Sequence, residues 1–178
     1  MVFFILKIYL YLCKINILIK INMIDMSNIL YELSLLGYVL PKILIATICG
    51  FLVGWERERK NKVAGLRTIV LICVGSTIFT ISSFMVGNLY NVDPTRILST
   101  IVTGIGFLGG GVIMKNDDRI VGLTTAAFIW VIAGIGILCG MGSVIMPIFL
   151  TVGLLVVSWL FEGVEKYIKI KSRDKKEN

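Results

Sequence analysis

Residues 93–142 read DPTRILSTIVTGIGFLGGGVIMKNDDRIVGLTTAAFIWVIAGIGILCGMG, and this stretch decides the fold. Two apolar runs, each long enough to cross a bilayer, flank a short polar turn at residues 115–119. Glycine is concentrated in both runs, with GIG at residues 104–106 and again at 134–136. The pattern predicts an antiparallel hairpin of two membrane-spanning helices. We expect the two GIG triplets to lie at similar depth, where the backbones approach closely.

The composition of the whole chain points to the same class of protein. Apolar residues make up 57% of the 178 residues and charged residues 16%, whereas a soluble domain carries about 25% charged residues. Apart from Lys42, which we expect to extend to the membrane interface, the charges lie outside the apolar runs or in their end turns. The sequence therefore predicts an all-α, polytopic membrane bundle of about five helices, with spans at residues 36–55, 66–86, 97–114, 120–139 and 144–161.

The distribution of lysine and arginine predicts the orientation of the bundle. One side of the five spans carries thirteen of these residues and the other side only Lys42 and Arg96. By the positive-inside rule, the N-terminal end of the first span lies outside and the C-terminus is cytoplasmic. The net charge of +7 comes from clusters beside apolar runs, which is typical of lipid anchoring and not of nucleic-acid binding.

Three segments follow from this interpretation: a leader at residues 1–25, a transmembrane domain at 26–163 and a basic cytoplasmic tail at 164–178. The leader is rich in Ile, Lys and Asn, and Lys14 would lie near the centre of any span. An interfacial helix fits only in part, and no small-residue cleavage site supports a signal peptide. We favour translation starting at Met23 or Met26.

Charged residues at the ends of the spans form two candidate pairs. Glu56 opposes the helix dipole at the end of the first span, and Arg67 at the start of the second is its candidate partner. The alternative is a solvated charged turn. Asp93 suits the N-cap of the third span, Pro94 its first position, and Arg96 its first turn. Capping is the favoured role, with a functional charge pair as the alternative.

Glycines spaced four apart predict close helix packing in three places. The pairs are Gly50 with Gly54, Gly106 with Gly110, and Gly136 with Gly140. Residues 104–109 also match the nucleotide-binding pattern G-x-G-x-x-G, but they lie in mid-membrane with no βαβ pattern around them, so we reject that site. The remaining glycines assigned to this packing pattern are Gly104, Gly109 and Gly134.

The residues offer little catalytic chemistry. The chain has no histidine, and its four cysteines, Cys13, Cys49, Cys73 and Cys139, lie in apolar runs without a CxxC pair. We expect these thiols to be reduced packing residues. Serine has no partner base at membrane depth, and no carboxylate lies deep in any span. The sequence thus predicts a protein that is not an enzyme, with no catalytic residues, metal site or cofactor.

Five ordered motifs resemble those of the MgtC/SapB family of bacterial membrane proteins. They are GWERE at 54–58, AGLRT at 64–68, DPTR at 93–96, GIGFLGGGVI at 104–113, and GLTTAA at 122–127 with Trp130. The last motif contributes the small-residue set Gly122, Thr124, Thr125, Ala126 and Ala127. The resemblance covers residues 36–160 and departs in two ways. By this comparison we expect the chain to lack the soluble C-terminal domain of the best-known members, and Thr124 stands where some members carry asparagine.

The resemblance implies a bacterial inner-membrane protein that acts in adaptation to low magnesium or related stress. It implies a partner among membrane proteins, with a P-type ATPase and the F-type ATP synthase as candidates. The glycine faces suggest a second copy of the chain as a further candidate partner. We therefore expect a non-enzymatic modulator of another membrane protein. The alternative is a small transporter or channel for Mg²⁺ or another ion, whose pore would need hydroxyls or backbone carbonyls.

Overall fold

The computed structural model describes the backbone of residues 2–116 and 119–177, and the side chains of residues 26, 28–115, 119–164 and 167. Within these ranges the chain forms five α-helices and one two-stranded β-hairpin. The elements are α1 Val2–Arg59, α2 Leu66–Tyr90, α3 Thr95–Val112, β1 Met114–Asn116, β2 Arg119–Val121, α4 Leu123–Gly140 and α5 Ile145–Glu177.

The chain divides into two compact units, residues 1–40 and residues 41–178. The first unit is helical from Val2 onward, and the side chains of the predicted leader lie outside the described residues. The late translation start therefore stays a prediction. The second unit holds the rest of α1 and the other elements, and every contact discussed below lies within it.

Five helical stretches are long and apolar enough to cross a membrane, with mean hydropathy between 1.3 and 2.2. They are Asn28–Arg59, Leu66–Tyr90, Thr95–Val112, Leu123–Gly140 and Ile145–Val164. This confirms the all-α bundle with five spans. The second helix runs past the predicted end at residue 86 and stops before Asn91, whose φ of 51° is left-handed. The orientation across the membrane stays a prediction.

The predicted helical hairpin is present, but its turn differs from the expectation. The third helix ends at Val112 instead of residue 114, and a β-hairpin pairs Met114 with Val121 and Lys115 with Ile120. The apolar residues flanking the polar turn include Ile120 and Val121, which favour extended backbone and so shorten both spans. The antiparallel strands bring α3 and α4 alongside one another.

The second and fourth helices form the interior of the bundle. Half of the α4 span is buried, against 11% of the spans of α3 and α5. Ile69 and Cys73 of α2 pack with Ile129, Ile132 and Ile135 of α4, and all five side chains are essentially inaccessible. The outer helices α3 and α5 therefore keep most of their apolar surface available to lipid or to a partner.

Candidate functional site at the basic end of the bundle

The most unusual side chain in the second unit is Arg57, in the last turn of α1. Its residue exposure is 2%, although it is an arginine in a run of charged residues. Its Nη2 donates a hydrogen bond of 2.8 Å to Thr125 Oγ1 in the first turn of α4. Its guanidinium carbon lies 4.2 Å from the centroid of the Phe128 ring. Arg57 thus joins α1 to the start of α4 through one hydroxyl and one aromatic face.

This arrangement only partly compensates for the burial of a charge. Removing a cation from water costs several kcal/mol, which a hydroxyl and a cation–π contact offset in part. The Nε of Arg57 is buried and has no hydrogen-bond partner among the described residues. The set of carbonyl and carboxylate acceptors that usually surrounds a buried arginine is therefore incomplete around Arg57. A buried, under-satisfied cation of this kind marks a candidate functional site.

A second polar cluster lies beside Arg57 and ties α1 to α5. Lys60 forms an ion pair with Glu56, one helical turn away, and a second pair of 2.7 Å with Glu162 Oε2. Ser158 Oγ donates to Glu56 Oε1 at 3.1 Å. The other carboxylate oxygen of Glu56 is buried without a partner among the described residues. Burial acts to lower the pKa of Lys60, but its hydrogen bonds to Glu162 and Glu56 prevail and raise that pKa.

The predicted pairing of Glu56 with Arg67 is wrong. Glu56 instead contacts Lys60 and Ser158, whereas Arg67 is exposed. The physical reason is helix periodicity, since Lys60 lies four residues after Glu56 on the same helix and reaches it without crossing to another element. The sequence carries the signal for the Glu56–Lys60 pair, because Glu and Lys four residues apart on one helix favour a local ion pair over a partner on another helix.

Glu58 has a separate role at the start of the second helix. Its Oε2 accepts a 2.9 Å hydrogen bond from the backbone N–H of Leu66, one of the N–H groups that a helix start leaves unpaired. The N-terminal boundary residue, Gly65, supplies no side-chain cap of its own. A Cβ on Gly65 would overlap the Glu58 carboxylate and displace it from this position, so glycine favours the contact.

The opposite end of the bundle contains a buried lysine that sequence reasoning placed at the surface. Lys42 is 7% exposed, and its Nζ donates to the carbonyl oxygen of Gly140 at 3.0 Å. We expected it to extend to the membrane interface. It instead satisfies a carbonyl at the C-terminal end of α4, where a cation is favoured by the helix dipole.

At the same end, Asp93 forms the predicted cap of the third helix. Asp93 Oδ1 accepts from the backbone N–H of Thr95 at 2.9 Å, and Thr95 Oγ1 donates to Oδ2 at 2.7 Å. Pro94 already has helical backbone angles, with φ −67° and ψ −18°. These hydrogen bonds lower the pKa of Asp93, and the charge of Arg96 adds to the effect. Both Asp93 and Arg96 are exposed, and no ion pair joins them among the described residues.

Two of the three predicted glycine pairs pack against the second helix. Cβ atoms on Gly50 and Gly54 would lie 3.0 and 2.9 Å from backbone atoms of α2. Cβ atoms on Gly136 and Gly140 would overlap the same helix further along its axis, at Cys73 to Thr80. Thr77 Oγ1 also lies 2.8 Å from the Gly136 carbonyl oxygen, so α2 and α4 share a hydrogen bond where they approach most closely.

The third pair does not pack against the described residues, and the predicted contact between the GIG triplets is wrong. A Cβ on Gly104, Gly106, Gly110 or Gly134 would meet no neighbouring atom of the described residues within 4 Å. Of the glycines on α3 only Gly109 contacts α4 in the described part of the chain, where its added Cβ would lie 3.7 Å from Ala126 Cβ. Spacing indicates that two glycines share a face, but it does not indicate which neighbour that face meets.

The remaining small residues at the start of α4 have different surroundings. Gly122 has a φ of 94°, and a Cβ there would overlap the Val112 carbonyl, so the turn into α4 needs glycine. Thr125 is buried against Arg57. Exposed positions are occupied by Thr124, Ala127 and Trp130.

The described part of the chain contains no cluster of three or more residues suited to holding a metal ion. Cys49, Cys73 and Cys139 are buried free thiols, as expected, and Cys13 lies outside the described side chains. The basic end of the bundle is suited to charge recognition and helix contact. The guanidinium of Arg57 and one carboxylate oxygen of Glu56 are buried there without full hydrogen bonding.

Comparison with known proteins places these features in a family. The sequence model of the MgtC family matches residues 43–167. Protein MgtC of Salmonella typhimurium is 45% identical over 106 residues, covering 60% of this chain and 44% of that protein. Protein MgtC of Brucella abortus is 37% identical over 127 residues, covering 71% of this chain and 52% of that protein.

An uncharacterized protein of Haemophilus influenzae is 40% identical over 143 residues, covering 76% of this chain and 60% of that protein. This chain therefore spans about half the length of the curated relatives it matches. No solved structure matches it significantly. The matched region contains Arg57, Thr125, the Glu56 cluster and all three glycine pairs.

Proposed function

This chain belongs to the MgtC family of multi-pass membrane proteins, and we propose that it acts as a non-enzymatic modulator of another protein in the bacterial inner membrane. Its setting is adaptation to low magnesium or a related stress. The partner classes that the family resemblance supplies are P-type ATPases and the F-type ATP synthase. The chain binds such a partner by helix contact within the membrane and performs no covalent chemistry.

The open glycine face of α3 is the observation that carries this proposal. Gly106 and Gly110 lie one turn apart on a helix of which only 11% of the span is buried. No side chain or backbone of the described residues occupies the space beside them, and the neighbouring Phe107 is 84% exposed. A GxxxG face allows another helix to approach closely, and such packing is a main source of association in membranes.

The charges support modulation over ion transport. The ionisable clusters of the described residues lie at the two ends of the spans, and hydroxyls such as Thr77 and Thr80 are bonded to helix carbonyls. A pathway for a hydrated divalent cation needs oxygen ligands that replace water along its length. Because the hydroxyls of Thr77 and Thr80 already donate hydrogen bonds within the bundle, they are poor candidates for ion ligands.

Affinity purification from native membranes tests the proposal, using Gly106→Leu as the variant. Because a Cβ on Gly106 would meet no neighbouring atom of the described residues within 4 Å and the position is exposed, the variant should fold and insert as the wild type does. We expect the co-purified membrane protein to fall several-fold at unchanged expression. Gly153→Leu is the matched control, since Gly153 is an exposed mid-span glycine of α5 with equally open surroundings. Retention of the partner by Gly106→Leu would contradict the proposal.

Flux measurement in proteoliposomes containing only this protein provides the second test. We expect no magnesium flux above that of empty vesicles. A magnesium flux that Asp93→Ala abolishes would overturn the modulator proposal in favour of a transporter. Asp93 suits this comparison because it is an exposed carboxylate at the rim of the bundle and caps α3 locally.

A further inference from the structure

An open apolar groove lies between the second and third helices. It has a cavity volume of about 720 Å³ and is lined almost entirely by apolar side chains, with Ile129 of α4 at its floor. Leu71 and Phe79 of α2 form one wall, and Ile101 and Leu108 of α3 form the other. All of these residues belong to the second unit, so the groove is a property of the packed bundle.

The groove exists because small residues line both walls. Gly75 of α2 and Gly104 of α3 both border it, and a Cβ on either would meet no atom within 4 Å. An empty groove of this size would leave its walls without dispersion contacts. In a bilayer, the hydrocarbon chain of a lipid is the apolar group available at the highest concentration to fill it.

The dimensions suit one acyl chain. Between Thr68 and Phe79 the groove follows α2 for eleven residues, or about 16 Å at 1.5 Å per residue. Between Ile97 and Val112 it follows α3 for fifteen residues, or about 22 Å. The hydrocarbon of one leaflet is about 15 Å deep, half of the bilayer core. A chain that enters from one leaflet can therefore lie along the whole of the α2 wall.

Charge at one mouth of the groove supplies the head-group preference. Arg67 precedes Leu71 by one turn and Gly75 by two, so it lies on the face of α2 that lines the groove. It is exposed and forms no ion pair among the described residues. Lys62 and Lys115 are also exposed at this end, which the positive-inside rule assigns to the cytoplasm.

The other mouth differs in its charge balance. Arg96 precedes Thr100 and Gly104 on α3 by one and two turns, in the same way that Arg67 precedes its groove residues. The carboxylate of Asp93 lies close enough for the Arg96 charge to lower its pKa, so opposite charges offset one another there. Glu58 caps the start of α2 beside Arg67, but the exposed cations Lys62, Arg67 and Lys115 outnumber it, so this end attracts an anion more strongly.

We propose that the groove between α2 and α3 is a binding site for an anionic phospholipid, with one acyl chain along Leu71 and Ile101 and the phosphate at Arg67. Basic residues beside a groove between membrane helices are a recurrent means of holding anionic head groups. The site is independent of the proposed helix contact, because Gly106 lies about 200° round α3 from Gly104.

Native mass spectrometry of the full chain in detergent, after delipidation and titration with phosphatidylglycerol or phosphatidylcholine, tests this site. We expect the wild type to bind phosphatidylglycerol at least about fivefold more tightly, which corresponds to the roughly 1 kcal/mol that one basic residue contributes at an anionic surface. Arg67→Gln should bring the two lipids to equal affinity. Arg96→Gln is the matched control and should keep the preference.

Filling the groove gives a second readout that does not depend on charge. Gly75→Leu and, separately, Gly104→Leu should lower the binding of both lipids at least tenfold, while Gly163→Leu, at an exposed and open position of α5, should leave it unchanged. Equal affinity of the wild type for the two lipids would overturn the proposal. So would loss of preference on Arg96→Gln alone, or a dimer peak that Gly75→Leu abolishes, since a second copy would then occupy the groove.

Discussion

Replacement of Thr125 by valine isolates the contribution of the hydroxyl that Arg57 binds. Valine keeps the branched shape of threonine and removes Oγ1, so Nη2 of Arg57 loses its 2.8 Å acceptor while the Phe128 contact remains. A hydrogen bond to a charged group contributes about 1.5–3 kcal/mol, and a donor left unpaired in a buried site costs a similar amount. Because Arg57 is 2% exposed, water cannot replace the acceptor. We expect Thr125→Val to lower the free energy of unfolding by about 2 kcal/mol.

Equilibrium unfolding in mixed micelles with increasing denaturing detergent measures this change. Thr124→Val is the matched control, because Thr124 is the preceding residue and is exposed; an exposed substitution of this kind changes stability by about 0.5 kcal/mol or less. Combining Thr125→Val with Arg57→Met should recover most of the loss, since both polar partners are then replaced by apolar groups. Equal stability of the two threonine variants would refute the buried Arg57 contact.

Three further changes probe other parts of the bundle. Gly136→Ala should destabilise by about 1–3 kcal/mol through overlap with α2, whereas Gly134→Ala, with open space beside it, should be neutral or slightly stabilising in the same unfolding assay. Lys42→Met should cost about 1–3 kcal/mol by leaving a buried carbonyl at the end of α4 unpaired, and unfolding of that variant measures it. The lowered pKa of Asp93 stabilises the fold above pH 3.8, the ordinary value, and this stability is lost as the pH falls through the folded-state pKa. A pH series of melting temperatures should show the loss in the wild type and not in Asp93→Ala.

The number and order of the membrane helices were predictable because hydropathy reports them directly. Each span is long, apolar and bounded by charge or by turn residues, and a bilayer leaves the backbone few alternatives to a helix. The helix start at Asp93 was also predictable, since the cap uses residues within three positions of one another. The turn at residues 114–121 was missed because its strands are only three residues long and their pairing depends on the helices they connect.

The candidate site was harder to predict, because it depends on which faces of the helices meet. From the sequence alone, Arg57 and its charged neighbours all look like residues of a solvent-exposed charged run. In the structure Arg57 is buried and Glu58 is exposed. Helix rotation separates consecutive residues by about 100° and decides this difference. The same applies to glycine, since Gly136 packs against α2 while Gly134, two residues earlier, faces open space.

The contacts of Lys42 and Arg57 fix the position of α4 along its own axis relative to α1. Lys42 and Arg57 of α1 are fifteen residues apart, and so are their partners Gly140 and Thr125 on α4, which corresponds to about 22 Å in each helix. The antiparallel helices are thus held at both ends by cations of one helix, and a shift of α4 along its axis would break both contacts together.

These two contacts are not equivalent in energy. Lys42 lies at the C-terminal end of α4, where the helix dipole favours a cation, whereas Arg57 lies at the N-terminal end, where the dipole opposes it. Glu56 and Glu162 interact with the charge of Arg57 and offset part of that cost, so the second contact contributes less to stability than the first. We infer that the charge of Arg57 is needed for a purpose other than holding the bundle together. Arg57→Met should then keep most of the wild-type stability in the unfolding assay and lower the association with the co-purified membrane partner; a variant that is strongly destabilised and keeps that association would show that Arg57 is structural only.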